Sequence, residues 1–315
     1  MSFAAQPRPA DVERFLAEHH GAPIAELEPL TGGFWSNAFG YRVGDRRLVL
    51  RIGADSAGFE MDRAARSFDR PGLPVPEVLA VGEALGRCYA ISVRHTGRFL
   101  ELVDATEAER AGPAILAMLG ALRSVGGNPW PVPWGQAGAP ASGAWHTWLH
   151  QGLTDDPGRR VSGWRSRLRN DPQLDRLFRA CRSEIDQLAS ACPQRSDLVH
   201  GDLLHQNVLV SNDASRVTAV FSWKCSTLGD FLYDVAWCTF WGPWHPGIAA
   251  ADVWGRISTL TDGADPDLMV DAAVRHRCYL LHIGATHLAW NAWTNNEAEL
   301  GAMADRLSQV LDAAR

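Results

Sequence analysis

Several absences narrow the class of this chain before any motif is considered. No apolar run approaches the roughly 18 residues that a membrane-crossing helix requires, so no membrane partner is expected. The opening stretch MSFAAQPRPADVERFLAEHH has no long apolar core and does not read as a secretory leader. The six cysteines, at 88, 181, 192, 225, 238 and 278, show no CxxC pairing and read as buried, reduced thiols of a cytoplasmic protein. There is no basic excess either. Lys and Arg number 30 against 36 Asp and Glu, a net charge of -6, which argues against a nucleic-acid partner. Internal repeats and long low-complexity tracts are missing. Residues 126–143, rich in Gly, Pro and Ala, come nearest to a loop insert.

What is present is ordinary in bulk and specific in detail. A hydrophobic content of 46% and a charged content of 21% suit a soluble globular protein, and 315 residues suggest about two domains or lobes. Residues 10–19 place Val12, Phe15 and Leu16 on one side of a short helix. The stretch from Leu30 to Val43, a turn at Asp45-Arg46, and Arg47 to Ile52 read as two strands with a Gly-containing connection. Paired glycines, Gly32 and Gly33, would let backbone N–H groups approach phosphate oxygens, or they simply make a turn. Arg51 follows on the second strand. It suits a cation that pairs with nucleotide phosphates, and equally an exposed strand arginine. Residues 59–68 read as helix, and either Glu60 or Asp62 could orient that cation. Leu73 to Leu79 enters a strand, Arg87 to Val93 forms another, and Gly97 marks a break. Ser92, Val93 and Arg94 are therefore candidates for backbone contacts to a nucleotide base.

Beyond the break the pattern turns helical, over 106–124, 145–153, 174–188 and 272–293. Interrupting it is the segment with the most chemical content, LVHGDLLHQNVLVSNDASRVTAVFSWKCSTLGDFLYDVAWC, residues 198–238. His200-Gly201-Asp202 is followed by Asn207, between two apolar runs of β type. That is the spacing of a kinase catalytic loop, in which the Asp accepts the hydroxyl proton and the Asn holds magnesium. His200 reads as a core histidine bonded to the loop backbone, and His205 as a local contact. A second metal-binding Asp is expected after the strand at 217–221, where the chain has Ser222. Were the strand to continue, Lys224 would share a face with Ser222. It would then lie either near the vacated metal position or on the surface. Asp230 precedes a helical pattern and reads as its N-cap, with bracing of the loop from behind as a further role. Thirteen tryptophans are many, and 130, 134, 145, 148, 237, 241 and 244 fall near the expected cleft.

HGDLLHQN, the strand ending in Trp223 and GDFLYDVAWCTFW resemble the aminoglycoside phosphotransferase family. LVLRIGADSAGF, LPVPEVLAVGE and FWGPW look like its hygromycin B phosphotransferase branch. The resemblance covers residues 28 to 295. It implies an α+β, bilobal, protein-kinase-like fold. A small β-rich N-lobe (residues 1–94) would bind nucleotide, and a larger, mostly helical C-lobe (95–315) would carry catalysis. It implies ATP with Mg2+ and transfer to a small-molecule hydroxyl, with Asp202 as base, Asn207 as metal ligand and Arg51 at the position of a phosphate-binding cation. The family's Ile-Asp-Trp is Phe221-Ser222-Trp223 here, so its second metal ligand does not carry over.

Two functional expectations follow. One is a small-molecule kinase, antibiotic-modifying or biosynthetic. The other is a degenerate kinase-like protein that binds a peptide, a phosphorylated intermediate or a partner protein, or that acts as a lyase or cyclase in natural-product biosynthesis. The family resemblance favours the first and Ser222 the second, while Asp202 and Asn207 disfavour a purely structural protein.

Overall fold

The computed structural model describes residues 7–30, 35–125, 145–257 and 266–313. Gly32, Gly33, Trp130, Trp134 and the insert at 126–143 lie outside them.

Helix α1 (Pro9–His20) is followed by strands β1 (Ala25–Leu30), β2 (Ser36–Val43), β3 (Arg46–Gly53), β4 (Val78–Ala84) and β5 (Arg87–Val93). These form one antiparallel sheet of order β1-β2-β3-β5-β4. The alternation in β3 decides what faces where. Leu48, Leu50 and Ile52 are buried with Val12 and Leu16 of α1 and with Phe39, Tyr41, Tyr89 and Ile91. Each such side chain contributes about 1.5–3 kcal/mol. Period two then sends Arg51 to the opposite face, where its guanidinium lies over the Phe59 ring of α2 (Ala57–Ala64), 5.1 Å from the centroid. The expected helix at 59–68 is thus α2 continued by a 3-10 turn over Ala65–Phe68. Residues 73–77 approach β4 as extended chain, and the strand itself begins at Val78.

The chain leaves the sheet after Val93. Gly97, at φ +151°, lies against the second region: a Cβ there would come within 2.5 Å of the Val210 carbonyl oxygen. β6 (Arg98–Phe99) then pairs with β8 (Val208–Val210), which pairs with β9 (Val217–Val220). β7 (Asp197–Val199) pairs with β10 (Thr227–Gly229). The helices around these strands include α3 (Ala108–Arg123), α4 (Trp145–Gly152), α5 (Trp164–Arg169) and α6 (Pro172–Leu188). Later come α7 (Leu232–Trp241), α8 (Pro246–Ala251), α9 (Val253–Arg256), α10 (Ala272–Thr294) and α11 (Glu297–Asp312). α10 is buried along most of its length and is the axis of this region. It approaches α7 and α11 closely at Gly284, where a Cβ would come within 2.6 Å of Leu307 and 2.9 Å of Phe240. The molecule is mixed α and β, a small antiparallel sheet followed by a larger helical region. No described helix is long and apolar enough to cross a membrane. All six cysteines are free thiols.

Candidate functional site

Two short strands present the loop at 200–207: β7 ends at Val199 and β8 begins at Val208. Behind the loop stands Asp234 of α7, 1% exposed. It accepts the N–H of His200 at 2.7 Å and of Gly201 at 2.9 Å. Burial pushes the Asp234 carboxyl up to about 7, against the pull of those two donors and helped by repulsion from Asp202. His200 is fully buried and neutral in character, its pKa lowered by burial. Its Nε2–H donates to the Phe221 carbonyl at 3.2 Å, and Nδ1 accepts from Asp202 N–H at 3.2 Å. The histidine is therefore a backbone brace.

Asp202 points its two oxygens in different directions. Oδ2 accepts from the Asn207 amide at 2.9 Å, and Oδ1 accepts from His205 Nδ1 at 2.7 Å. The Asn207 amide also donates to the Asp202 carbonyl at 2.8 Å. His205 and Gln206 hold left-handed backbone, φ 63° and 66°. Glu101 accepts the Gln206 N–H and pins that strained turn. Burial opposes charge on His205, and the nearby carboxylates of Asp202 and Glu101 outweigh it, so its pKa is raised. The ring still exposes 42% of its surface, which screens that attraction.

The sheet contributes a second group of residues. Arg51 pairs with Asp62 at 2.6 Å, both largely buried, and Asp62 Oδ1 accepts the N–H of Trp223 at 2.7 Å. Of the two acids the sequence offered, Asp62 orients the cation. Glu60 pairs with Arg63 on the surface. Asp62 thus ties β3 to the segment that follows β9. Trp223 is itself fully buried, edge-on to Phe68 at 5.3 Å and His200 at 4.8 Å.

Three expectations require correction. First, the strand does not continue through 222 and 224. β9 ends at Val220, Ser222 sits at φ 70°, ψ 58°, and residues 223–225 form a 3-10 turn. The shared face of Ser222 and Lys224 therefore does not exist. Lys224 instead meets Asp55 at 3.1 Å, beside Arg160 at 3.4 Å from the same carboxylate, all half-exposed. Second, the N–H groups of Val93 and Arg94 are already donated to the carbonyls of Glu77 (2.9 Å) and Arg47 (3.0 Å). A base edge would not find those two donors free. Ser92 is buried within β5. Third, the brace behind the loop is Asp234. Asp230 accepts from Leu232 N–H at 3.2 Å, as a cap does, but its main partners are Arg275 at 2.7 and 2.8 Å and the Tyr279 hydroxyl at 2.6 Å. Arg275 is 1% exposed, a buried ion pair that no local pattern announces.

The tryptophans divide into groups. Trp145 and Trp148 stack at 4.8 Å and pack on Tyr233, with Trp148 also against His282. Trp237, Trp241 and Trp244 run past His205. A further group, not expected from sequence, joins Trp35, just before β2, to Trp290 and Trp293 of α10, with Arg160 3.6 Å above the Trp35 ring.

This arrangement is that of a kinase-type phosphotransferase: a cation-bearing sheet, a loop carrying an Asp-Asn pair, and a helical region around them. A profile of the phosphotransferase enzyme family (APH) matches residues 26–266, and the chain belongs to that family. Among its relatives is hygromycin-B 4-O-kinase of Escherichia coli, 30% identical over 279 residues that cover 88% of this chain and 77% of that protein. The fold superposes on the crystal structure of aminoglycoside phosphotransferase APH(4)-Ia with a TM-score of 0.81, at 26% identity, covering 98% of this chain and 100% of that one. A thermostable variant of that enzyme, in a ternary complex with AMP-PNP and hygromycin B, gives a TM-score of 0.80 at 28% identity, covering 96% and 99%. Spectinomycin phosphotransferase APH(9)-Ia, at 12% identity and a TM-score of 0.60, shares the fold.

Proposed function

We propose that this phosphotransferase moves the terminal phosphoryl group of ATP to a hydroxyl of a small molecule, with Asp202 as the base. The observation that carries the reading is the Asp202 carboxylate. It is fixed on one side by Asn207 at 2.9 Å and stands on a loop whose backbone Asp234 anchors. A carboxylate so placed accepts the acceptor's proton as its oxygen attacks phosphorus. Arg51, aligned by Asp62, would meet the inner phosphates, a role that a guanidinium can fill with two hydrogen bonds. Gly32 and Gly33 remain candidates for the phosphate loop, and with the Val93 and Arg94 N–H groups already donated, Ser92 and Val93 would meet a base only through other atoms.

Magnesium, when bound, neutralises phosphate charge in such sites. The described residues do not complete a two-metal set. Asn207 can offer its amide oxygen, Ser222 offers a neutral hydroxyl where a carboxylate is expected, and no group of three or more His, Cys, Asp or Glu among the described residues could hold a metal. Magnesium prefers carboxylate and phosphate oxygens, so the metal demand of this site differs from that of a kinase with both ligands. A second reading, a degenerate member that binds a peptide, a phosphorylated intermediate or a partner protein, rests on Ser222 alone.

Transfer of the γ-phosphate from labelled ATP to a hydroxyl acceptor, lost in Asp202→Asn, tests the reading. Calorimetric titration of ATP gives an independent measure of nucleotide occupancy. No heat and no thermal shift with ATP, with or without magnesium, would favour the degenerate reading.

A further inference from the structure

Asp202 is held at both oxygens of its carboxylate. The Asn207 amide donates to Oδ2 at 2.9 Å, and His205 donates from Nδ1 to Oδ1 at 2.7 Å. A single donor would leave the group free to turn, because the Cβ–Cγ torsion of a carboxylate is broad and roughly two-fold. The second donor, at the opposite oxygen, fixes the plane. A carboxylate only accepts, so Nδ1 carries the ring proton in this bond.

Three features aim the imidazole. His205 and Gln206 are consecutive left-handed residues, φ 63° and 66°, and neither is glycine. Glu101, in the turn Leu100–Leu102 beyond β6, accepts the Gln206 N–H and holds that backbone. The ring itself sits edge-on to Trp241 of α7 at 4.7 Å, with Trp237 and His287 each 5.9 Å away. Elements from three distant parts of the chain thus converge on one side chain, and the hydrogen bond its placement yields is the one to Asp202. Backbone strain that a fold maintains points to a functional constraint. His200 of the same loop differs, since both its nitrogens serve backbone groups.

Resting on the phosphotransferase reading above, we propose that His205 is a positioning residue for the base. It sets the plane of the Asp202 carboxylate so that an oxygen lone pair meets the acceptor hydroxyl. The acceptor oxygen then bonds phosphorus, ADP leaves, and the hydroxyl proton passes to Asp202. A base turned out of line costs rate while substrate binding stays in place.

Steady-state transfer from labelled ATP to hygromycin B, used as the probe acceptor, tests this beside thermal melts of each variant. His205→Ala should lower kcat by about tenfold or more, with KM for ATP and for hygromycin B within about twofold of the parent. His205→Gly has no donor and relieves the left-handed backbone, so it should be as slow as the alanine variant while melting no lower than the parent. His205→Asn carries an amide N–H at the same place along the side chain and tolerates left-handed backbone, and should recover kcat to within about threefold of the parent. Side-chain 15N spectra give a reading that needs no acceptor. They should show His205 protonated at Nδ1 in the parent, and a shift away from that tautomer in Asp202→Ala. A kcat within twofold of the parent in both His205→Ala and His205→Gly overturns the proposal. So does an asparagine variant no faster than alanine, or a His205 tautomer indifferent to Asp202→Ala. Failure of the underlying reading looks different: no phosphate moves from ATP to hygromycin B or to water in the parent, which removes the base and its positioning residue together, while the tautomer still responds to Asp202→Ala.

Discussion

The loop at 200–207 and the segment at 221–224 face each other across the site and are built alike. Each is held by a buried carboxylate that accepts backbone N–H groups, Asp234 for His200 and Gly201, Asp62 for Trp223. They are also tied together, through His200 to the Phe221 carbonyl and Phe221 N–H to the Asn207 carbonyl. The loop carries the proposed reactive pair, Asp202 and Asn207. The segment keeps the backbone position and has a serine hydroxyl in it. Scaffold and chemistry are therefore separable here. The position expected to carry a metal-binding carboxylate keeps the hydrogen bonds that shape it, because those bonds run through backbone groups and not through the side chain at 222.

The largest expected effect is at the loop. Asp202→Asn keeps the shape and removes the base, and phosphoryl transfer should fall by about a hundredfold or more. Steady-state kinetics with labelled ATP would show it, and turnover within a factor of two of the parent would place the base elsewhere. Next comes the scaffold beneath. Asp234→Asn presents an NH2 group to at least one of two buried N–H donors. It should cost about 1–3 kcal/mol in urea unfolding, with a parallel loss of activity. Stability lost at Asp234 without any loss of activity would show that the loop holds its form unaided.

Much of this arrangement was legible in the sequence, for identifiable reasons. The Asp-Asn pair lies within one short loop between two apolar runs, so spacing alone revealed it. The helices at α1, α3 and α6 follow their apolar periodicity, whereas α10 is buried nearly all round and was legible as a long apolar stretch. α11 carries an equally regular stripe, Leu300, Met303, Leu307 and Val310, and extends the helical region past the stretches read from sequence. β1 escapes because AELEPL is mostly solvent-facing, with no buried alternation to detect. The choice of Asp62 over Glu60 needed the third dimension, since both lie on the same short helix and only one reaches Arg51. Asp230 with Arg275 and Asp234 with the loop join residues far apart in sequence, and helix packing alone sets such pairings. The end of β9 was unreadable for another reason. Val-Thr-Ala-Val-Phe favours a strand, and serine gives no signal of the left-handed backbone that Ser222 adopts.

The scaffold also titrates. His282 is 1% exposed; its Nε2–H donates to the Leu149 carbonyl at 3.0 Å and its Nδ1 accepts from the Tyr233 hydroxyl at 3.0 Å. Burial lowers its pKa to about 4. The folded protein therefore binds fewer protons than the unfolded chain between about pH 4 and 6.5. Stability is full above that window and is lost as pH falls through it. His282→Gln should remove this dependence, so that parent and variant differ by about 2 kcal/mol less at pH 5 than at pH 6.5. Parallel unfolding curves at the two pH values would mean that the imidazole is not held neutral. Tyr233 is adjacent to Asp234 on α7, so the same acidification should loosen the loop at 200–207 before it reaches the segment at 221–224. Hydrogen exchange at Gly201 and Trp223 would show that order.

The smallest effect is the most discriminating. Ser222→Asp puts a carboxylate at a position whose left-handed backbone, φ 70° and ψ 58°, aspartate tolerates better than most side chains. The strain already present at Ser222 should therefore not rise, and the melting temperature should hold. If the segment is an intact scaffold that lacks only its ligand, the added oxygen lies between Asn207 and the nucleotide's phosphates. ATP binding should then tighten by about tenfold in magnesium, on the order of 1.4 kcal/mol, and weaken slightly in a chelator, where the new charge repels phosphate. Lys224 does not confuse the result, since it is turned to Asp55 and is half-exposed. If the site instead binds phosphate through cations alone, the same substitution weakens ATP in both conditions, because a carboxylate now competes for Arg51. Calorimetric titration with and without magnesium separates the two by sign. No change in either condition would mean that position 222 does not face the nucleotide, and that the loop and the segment differ in function as well as in chemistry.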